Sequence, residues 1–450
     1  MRTLDRIREA TKSSEYEGRL YLVGGIVRDK ILGLPEEQDI DIVLEGDAAA
    51  LAEFLHDKGL TEHFPVVYPR FGTAMVSLNG RKVELVSART EKYEPESRKP
   101  DVQLASLRDD ALRRDFTINT LLENLHTGEV IDVLGTALSD LKNRTIRTPT
   151  DPVSTFAEDP LRMLRAVRFA ARFGFTIDRD ALEAIRQEGD RLSIVSGERI
   201  RDELIKILAS QGAITGLELL RETGLLRRFA PEIDRMSGVT QNIYHVYDCW
   251  THTLKALEAL PPDASLRLRL ATLFHDIGKP DTRTVDEAGN VHFYSHQTAG
   301  VEIARRVMRR LRFSNDEIGY VAPMIHMHLR VGEYDDEWSD AAVRRLIRDV
   351  GDMLDDLIEL TRVDKAASNL EMPSVDLEAL RRRIAQVESG LAAAEIRSPL
   401  NGHEIMQVLG VKPGPVLREA KDFLTNEVIE GRLRPGDKAE AERLLKERFG

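Results

Sequence analysis

Two aspartates separated by one residue carry the clearest chemical signal in the chain. Asp39 and Asp41 lie in Asp39-Ile-Asp-Ile-Val43, whose alternation of apolar and polar residues predicts a β-strand. Residues i and i+2 of a strand face the same side with Cα atoms about 6.5 Å apart, so both carboxylates can hold metal ions. Two Mg²⁺ ions about 4 Å apart can activate an attacking hydroxyl and neutralise a departing pyrophosphate. The pair predicts metal-assisted nucleotidyl transfer, although an exposed strand edge with solvated acids shows the same pattern.

A glycine pair lies close upstream of these aspartates. Gly24 and Gly25 follow the apolar run Leu20–Val23 and precede a helical pattern, an arrangement that lets backbone N–H groups approach phosphate oxygens. Arg28 adds a charged fork suited to a triphosphate. Glu84, in the middle of Arg81–Val86, is a candidate third carboxylate, although an outward-facing polar position would look the same.

The elements that must position these residues form a mixed α/β segment that ends near residue 150. Strands are predicted at 20–23, 39–43, 73–78, 81–86 and 129–133, helices at 26–32 and 48–58, and a type I′ hairpin turn at Asn79-Gly80. Nearly every segment after about residue 159 has helical periodicity. Breaks near 150, 240 and 370–400 divide the chain into segments 1–150, 151–240, 241–370 and 371–450.

Composition and charge narrow the class of protein. The chain has 450 residues, which is long for one core and predicts two to four domains, and its charged fraction of 31% with 6% aromatics favours a largely helical protein over a β-sandwich. The charged N-terminus and the lack of an apolar run of about 20 residues predict a soluble, cytoplasmic protein. A net charge of −12 argues against nucleic-acid binding over the whole surface. Binding of nucleic acid would therefore depend on local clusters of arginine. The single cysteine, Cys249, excludes an internal disulfide.

Two rows of arginine recur at helical spacing and are candidates for phosphate binding, although solvated helix faces would show the same pattern. The first row is Arg162, Arg165, Arg168 and Arg172, and the second is Arg305, Arg306, Arg309, Arg310 and Arg312.

Five motifs in the first half of the chain occur in an order that resembles one family. The run from Leu20 to about Leu208 is similar to the class II tRNA nucleotidyltransferases and poly(A) polymerases, within the DNA polymerase β superfamily. The motifs are Gly24-Gly-Ile-Val-Arg-Asp29, Asp39-x-Asp41, Arg113-Arg-Asp-Phe-Thr-Ile-Asn119, Glu158-Asp-Pro-Leu-Arg162 and Gly197-Glu-Arg-Ile-Arg-Asp-Glu-Leu-Ile-Lys206.

The resemblance implies a role for each matching residue. Gly24, Gly25 and Arg28 would bind the phosphates of the incoming nucleotide. Asp39 and Asp41 would carry Mg²⁺, with Glu84 as a possible third acid. The resemblance further implies that Arg114 and Asp115 hold ribose and phosphates, that Asp159 and Arg162 read the base edge of CTP or ATP, and that Arg165 and Arg168 contact phosphate or stack.

The resemblance leaves the product of the reaction partly open. The polar segment from Arg89 to Pro100 matches the family's flexible loop, which is implicated in switching from C to A addition, and its presence favours full CCA addition to tRNA. A poly(A) polymerase would share the same head, but the mixed charge of residues 437–448 is unlike the basic extension usual there. Enzymes that add only CC or only A stay open, whereas a non-enzymatic RNA-binding scaffold would be expected to lack one of the paired aspartates.

A series of histidines in the second half resembles a second family. The order is His252, the pair His275-Asp276, then His296, His328 and Asp364, which is similar to the HD-domain metal phosphohydrolases. The resemblance implies a divalent transition metal held by His252, His275, Asp276 and Asp364, with His296 and His328 contacting phosphate or a second metal. An active phosphatase or phosphodiesterase, an idle folded domain, and an HD phosphohydrolase with an inactive head are the alternatives. The fold expected is α+β: a polymerase-β-like head with a mixed sheet, an all-α neck and body, an α-helical HD domain and a helical tail.

Overall fold

The structure is a computed structural model that describes residues 3–35, 40–92, 101–369, 371–372, 375–390 and 397–450. The chain divides into two compact units, residues 1–231 and 232–450. The α+β class expected from the sequence is confirmed, because strands concentrate in the first 150 residues and helices make up most of the remaining chain. Among the described residues, no helix combines the length and apolar character needed to cross a bilayer.

The first unit is built around a seven-stranded mixed sheet of order β3-β4-β5-β2-β1-β8-β9. Only the central β2–β5 pair of this sheet is parallel, and the other neighbours are antiparallel. The strands of this unit are β1 (Leu20–Val23), β2 (Ile40–Leu44), β3 (Val66–Tyr68), β4 (Thr73–Leu78), β5 (Arg81–Ser87), β6 (Arg89–Lys92), β7 (Asp101–Leu104), β8 (Leu122–Asn124), β9 (Val130–Ile131), β10 (Thr145–Ile146) and β11 (Thr176–Ile177).

Helices cover the sheet and then continue as a helical layer up to the end of the first unit. They are α1 (Thr3–Thr11), α2 (Gly25–Ile31), α3 (Ala48–Asp57), α4 (Leu107–Leu112), α5 (Ala137–Lys142), α6 (Pro152–Glu158), α7 (Leu161–Phe173), α8 (Arg179–Glu188), α9 (Gly197–Leu208), α10 (Ala213–Glu222), α11 (Leu225–Phe229) and α12 (Pro231–Asp234), the last of which crosses the boundary between the units. Short 3₁₀ turns lie at 69–71, 117–119 and 189–194.

Local chemistry explains where several of these elements begin and end. Asn79 and Gly80 both have positive φ, 50° and 70°, so the predicted type I′ turn joins β4 to β5. Asp151 caps α6 by accepting from the Ser154 backbone N–H, with Pro152 at the first helical position. The strand predicted over 129–133 is shorter in the structure, covering only Val130–Ile131.

The second unit is almost entirely helical. Its only strands among the described residues form the hairpin β12 (Arg283–Val285) and β13 (Val291–Phe293). Its helices are α13 (Cys249–Glu258), α14 (Leu266–Phe274), α15 (Lys279–Thr282), α16 (His296–Arg310), α17 (Asn315–Gly332), α18 (Asp340–Val350), α19 (Leu354–Ala366), α20 (Leu377–Gly390), α21 (Gly402–Leu409), α22 (Pro415–Ile429) and α23 (Lys438–Phe449), with a 3₁₀ turn at 351–353.

The last three helices have a small core of their own. Ile405, Ala420, Leu424, Val428 and Leu445 are buried together where α21, α22 and α23 meet. Burial of these side chains holds the C-terminal helices to one another.

Candidate functional site

The glycine pair stands at the mouth of a cavity in the first unit. Gly24 follows β1 with φ +78° and ψ −132°, and α2 begins at Gly25. A Cβ placed on Gly24 would lie 3.7 Å from Arg114 Nη1 and 3.8 Å from Asp41 Oδ2. The positive φ requires glycine, whereas the two distances are ordinary van der Waals contacts. The backbone of the turn is therefore held beside one acid and one guanidinium.

Two of the three predicted carboxylates occupy matching positions on neighbouring strands. Asp41 on β2 pairs in register with Glu84 on β5, in the one parallel pair of the large sheet. Residues paired in this way project from the same face of a sheet. Asp39 lies outside the described residues, so its predicted place beside Asp41 stays a prediction.

Arg28 is buried and tightly held. Its guanidinium lies 5.1 Å from the ring centre of Phe169 and 4.7 Å from that of Phe173. It also donates to Asn119 Oδ1 at 2.5 Å and to Asp29 Oδ1 at 2.7 Å. A guanidinium fixed by two rings and two acceptors is preorganised, so it can attract phosphate charge with little loss of side-chain entropy.

Arg114 and Asp115 are each oriented by a partner. Asp110 Oδ2 accepts from Arg114 Nε at 3.1 Å and from Nη2 at 2.9 Å, which leaves Nη1 toward Gly24. Asp115 accepts from Arg165 Nε at 2.8 Å and from Asn119 Nδ2 at 2.9 Å. Burial alone would raise the pKa of Asp115, but the charge of Arg165 and these hydrogen bonds outweigh it and lower the pKa to about 2.

The arginine row of α7 is not a solvated helix face. Arg162 and Arg168 are buried, and Arg165, Arg168 and Arg172 line the same cavity as Gly24 and Asp41. Arg168 is fixed by α9, where Glu203 Oε2 accepts from its Nε at 2.6 Å. The row therefore supplies cations to an internal surface, which favours the binding interpretation of this pattern over the solvated one.

The second arginine row behaves differently. Arg310 donates to the two oxygens of Glu232 at 3.0 and 2.6 Å, and Arg305 pairs with Glu302 at 2.9 Å. Arg306 and Arg309 are exposed on α16. This row fits a solvated helix face with ion pairs, the other interpretation of the sequence.

Asp159 and Arg162 lie together in a smaller pocket beside the main one. Arg199 Nη2 donates to Asp159 Oδ2 at 2.8 Å, and Arg162 Nη2 donates to the Arg113 carbonyl at 2.8 Å. Arg162 also pairs with Glu158 at 3.0 Å. The acceptor and donor predicted to read a base thus share one pocket, and in this structure protein groups occupy their hydrogen-bonding positions.

The main cavity has a volume of about 890 Å³ and contains groups that the sequence analysis did not select. Asn119 closes the quoted Arg-Arg-Asp-Phe-Thr-Ile-Asn motif and bonds both Arg28 and Asp115, so its place in that motif was an available signal. Lys206, the last residue of the fifth motif, also lines the cavity. The other lining residues not predicted individually are Leu34, Pro35, Phe169, Phe173, Ala209, Ser210 and Gln211.

The histidines of the second unit converge, although they come from five separate segments. His252 lies on α13, His275 and Asp276 follow α14, His296 begins α16, His328 lies on α17 and Asp364 lies on α19. Gly278 permits the approach of two of these segments, because a Cβ there would lie 2.1 Å from the His296 carbonyl oxygen. The predicted cluster is therefore assembled.

These six residues form two groups of three, each with ligand atoms within 4.8 Å of one another. His252, His275 and Asp364 form one group, and Asp276, His296 and His328 form the other. In the first, Asp364 Oδ1 lies 2.9 Å from His252 Nε2, and the Nε2 atoms of His252 and His275 are 3.4 Å apart. In the second, the Nε2 atoms of His296 and His328 are 3.3 Å apart.

Asp276 stands between the two groups. Its Oδ2 lies 3.2 Å from His275 Nε2, and its Oδ1 lies 3.5 Å from His296 Nε2 and 3.9 Å from His328 Nε2. One carboxylate thus presents an oxygen to each group. Imidazole nitrogens combined with carboxylates suit divalent transition metals.

The protein fixes the ring orientation of all four histidines of the two groups. The Nδ1 atoms of His252, His275, His296 and His328 lie 3.2, 2.8, 2.9 and 2.6 Å from the carbonyl oxygens of residues 367, 272, 293 and 325. Their Nε2 atoms are thereby directed at the centre of the cluster, as in metal-binding histidines. Burial lowers the pKa of His328 to about 3, so its ring is neutral at pH 7 and able to bind a metal.

Two further groups at this cluster were not predicted. Lys279 Nζ lies 2.6 Å from Asp276 Oδ2 and donates to Gln241 Oε1 at 2.6 Å. His245 packs edge-on against His252 with ring centres 4.7 Å apart. Lys279 closes His275-Asp-Ile-Gly-Lys279 and could have been inferred from that proximity, whereas His245 had no local signal. A cavity of about 510 Å³ opens onto Asp276, His296, His328 and Asp364.

Three known domain families match successive parts of the chain. The Poly A polymerase head domain matches residues 20–147, the Probable RNA and SrmB- binding site of polymerase A matches residues 174–237, and the HD domain matches residues 242–366. An A-adding tRNA nucleotidyltransferase of Deinococcus radiodurans is 34% identical over 329 residues, which are 70% of this chain and 73% of that protein. A CC-adding tRNA nucleotidyltransferase of Thermus thermophilus is 33% identical over 438 residues, 94% of this chain and 92% of that protein.

The chain belongs to the tRNA nucleotidyltransferase and poly(A) polymerase family. A Multifunctional CCA protein of Halorhodospira halophila is 36% identical over 320 residues, 68% of this chain and 73% of that protein. The fold of this nucleotidyltransferase is also that of a solved structure, Bacillus stearothermophilus CCA-adding enzyme in complex with CTP, with a TM-score of 0.69 at 24% identity, covering 100% of this chain and 98% of that one. Both resemblances stated from the sequence are confirmed.

Proposed function

We propose that this nucleotidyltransferase adds CMP and AMP, from CTP and ATP, to the 3′ end of tRNA with Mg²⁺ as its cofactor. The observation that carries the proposal is the placement of Asp41 and Glu84 in register on one sheet face, with Asp41 beside Gly24 and Arg114. The names of the relatives support tRNA as the acceptor.

The acids would bind Mg²⁺ and the cations would bind phosphate. Carboxylate oxygens are hard ligands that suit Mg²⁺, and Asp41 and Glu84 would supply them, together with Asp39, which lies outside the described residues. Mg²⁺ held by these acids would lower the charge on the phosphates and favour a nucleophilic 3′ hydroxyl. Arg28 and Arg165 hold the phosphates, while the Gly24-Gly25 turn admits them close to the backbone.

Asp159 and Arg162 would select the base. A carboxylate and a guanidinium side by side offer acceptors and forked donors, which suit the edges of cytosine and adenine, while guanine and uracil present different patterns. Because Arg199 binds Asp159 in this structure, a bound base would have to replace that contact.

We also propose which nucleotides are added, namely all three of the CCA end. The relatives include one named for A addition and one named for CC addition, so the number of nucleotides added is inferred from this chain's own residues. Full CCA addition is favoured by the polar segment 89–100, of which residues 93–100 lie outside the described residues. Poly(A) addition would instead give long A tails on unrelated RNA.

Variants of the acids test the proposal. Asp39→Ala or Asp41→Asn should abolish incorporation of labelled CTP into tRNA that lacks its 3′ end, while tRNA binding, measured by filter retention, is kept. The proposal is wrong if either variant adds nucleotides at the wild-type rate.

We further propose that the second unit is a metal-dependent phosphohydrolase of the HD type. Two ligand groups with Asp276 between them suit two divalent ions, and Lys279 beside them suits a phosphate. His252→Ala should abolish Mn²⁺-dependent hydrolysis of bis(p-nitrophenyl) phosphate and leave nucleotide addition intact. Absence of hydrolysis in the wild type with Mn²⁺, Ni²⁺ or Co²⁺ would contradict this and indicate an idle domain.

A division of labour along the chain is part of the proposal. Residues 1–150 would carry transfer, 151–240 base and RNA binding, 241–370 hydrolysis, and 371–450 a helical tail. The cytoplasm is the location that the substrates imply, because tRNA and free CTP and ATP occur there. In the full chain, Asp41→Asn should remove transfer, Arg162→Ala should impair selection of the base and His252→Ala should remove hydrolysis, each without loss of the other activity proposed for a different segment.

A further inference from the structure

The cavity above the histidine cluster has an aromatic side that metal binding does not use. Tyr294 lines this cavity, is 70% exposed, and stacks on the His292 ring with centres 5.2 Å apart and planes within 9°. Tyr244, 53% exposed, also lines the cavity. Aromatic side chains that line a pocket are a common feature of ligand-binding sites.

The hairpin that carries this aromatic pair is firmly built. Asp286 accepts from the His292 ring Nε2 at 2.9 Å and from the Asn290 backbone N–H at 2.8 Å, which closes the β12–β13 turn and fixes the imidazole. Ser295 then adopts φ +58°, a left-handed conformation that non-glycine residues seldom take. This sharp turn leads directly from Tyr294 into His296, so the ring and the metal ligand have a fixed spacing.

Cations occupy the other part of the cavity. Lys279, Arg362 and Lys365 all line it, together with the Asp276 group of metal-ligand candidates and Asp364 of the other group. Lys279 Nζ also lies 5.5 Å from the centre of the Phe293 ring, beside the stacked pair. The cavity therefore combines cations and metal-ligand candidates, which suit a phosphate, with exposed aromatic rings, which offer a flat apolar surface.

We propose that Tyr294, backed by His292, is the base-stacking residue of this pocket and that it makes nucleotide phosphoesters the preferred substrates. The inference rests on the hydrolytic function proposed above and adds the specificity of the same site. Aromatic rings bind any nucleobase through its π face, so stacking selects nucleotides over simple phosphates without selecting among bases. The volume of about 510 Å³ suits a ligand of nucleotide size.

Paired ligands that differ only in the base test this specificity. Adenosine 5′-monophosphate and ribose 5-phosphate share the phosphate and the sugar, and a short RNA with a 3′-phosphate tests whether an RNA end is the source. Equilibrium binding to the Mn²⁺-loaded full chain is measured by calorimetry. The difference between wild type and Tyr294→Ala isolates this pocket from nucleotide binding in the first unit.

Tyr294→Ala should weaken binding of the nucleotide or of the RNA end about 5- to 100-fold, while ribose 5-phosphate binding changes less than about twofold. Tyr294→Phe keeps the ring and should retain wild-type affinity. In hydrolysis, the KM for nucleotide substrates should rise with kcat nearly unchanged. The tighter of the two base-bearing ligands identifies the source.

Equal losses for ribose 5-phosphate, or unchanged affinity for both base-bearing ligands, would overturn the stacking role. Tyr294-dependent nucleotide binding by a chain that hydrolyses nothing would leave the stacking role standing and contradict only the proposed hydrolysis.

Discussion

Arg168 on α7 donates through Nε to Glu203 Oε2 on α9 at 2.6 Å, and the two side chains are only 10% and 4% exposed. The guanidinium also lies 4.1 Å from the centre of the Phe169 ring. This pair ties together two helices that line the main cavity, and it joins the arginine row of α7 to the motif Gly197–Lys206.

Removing one member of this pair should destabilise the first unit. Glu203→Gln leaves the Arg168 charge buried without its counter-charge, and the expected loss is about 3 kcal/mol in the free energy of unfolding. Urea denaturation followed by circular dichroism measures it. The double variant Arg168→Leu with Glu203→Leu should lose less than the single variant, because no charge is left buried. A double variant that loses as much stability as Arg168→Leu and Glu203→Leu lose separately, added together, would show that the ion pair does not matter.

Asp115 should make stability depend on acidity. Its pKa is about 2 in the folded chain and near 3.9 when unfolded, so the ionised form favours folding above about pH 4. The stabilisation, about 2 kcal/mol, is lost as the pH falls from about 4 through 2, because the unfolded chain takes up the proton first.

Asp115→Asn provides the measurement. The variant should be less stable than wild type by about 2 kcal/mol at pH 6, and the gap should narrow as the pH falls from 5 to 3. Urea midpoints at a series of pH values follow it. A gap that stays constant over this interval would show that Asp115 titrates normally in the folded chain.

Two glycines separate the cost of backbone strain in general from the effect of backbone strain next to the candidate site. Gly24 and Gly33 have φ of +78° and +70°, but only Gly24 lies next to Arg114 and Asp41, whereas a Cβ on Gly33 would meet nothing within 4 Å. Gly33→Ala should cost about 1 kcal/mol of stability and spare activity. Gly24→Ala should lower kcat/KM for CTP at least about tenfold, since backbone misplacement weakens phosphate binding. Equal effects of the two changes on kcat/KM would refute a special role for Gly24.

The histidine cluster should hold two metal ions. His328 belongs to the group with Asp276 and His296, and His252 belongs to the other. Protein loaded with Mn²⁺ and freed of excess ion should contain two ions per chain by elemental analysis, and His328→Ala should contain one. His326→Ala, two residues away on the same helix, should keep both, because His326 belongs to neither group. One ion in the wild type would contradict the two-metal site.

The parts of the structure that the sequence predicted are those specified by local chemistry. The strand ending at Val23, the Asn79-Gly80 turn and helix α3 depend on neighbours only a few residues away, and all three are confirmed. The grouping of Asp41 with Glu84 needed strand order, which the sequence analysis did not derive.

Partners separated by long stretches of chain escaped prediction. Arg199 binds Asp159 across 40 residues, and no periodicity links the two. Asn119 is uncharged, so its position at the end of the motif Arg113–Asn119 predicted no role for it. In the structure it forms hydrogen bonds with two of the predicted residues, Arg28 and Asp115. His245 likewise has no spacing that marks it, since it reaches the cluster through tertiary packing with His252.

Full CCA addition requires that each nucleotide is added only to the tRNA end that precedes it. The decisive measurement uses the purified chain with Mg²⁺, one nucleoside triphosphate at a time, and three tRNA transcripts that end before the first C, before the second C and before the terminal A. Gels of single-nucleotide resolution should show that CTP alone extends the first transcript by two residues and the second by one, and that ATP alone extends only the third, by one. Extension of only the third transcript, extension by CTP alone with none by ATP, or open-ended A addition to unrelated RNA would contradict full CCA addition.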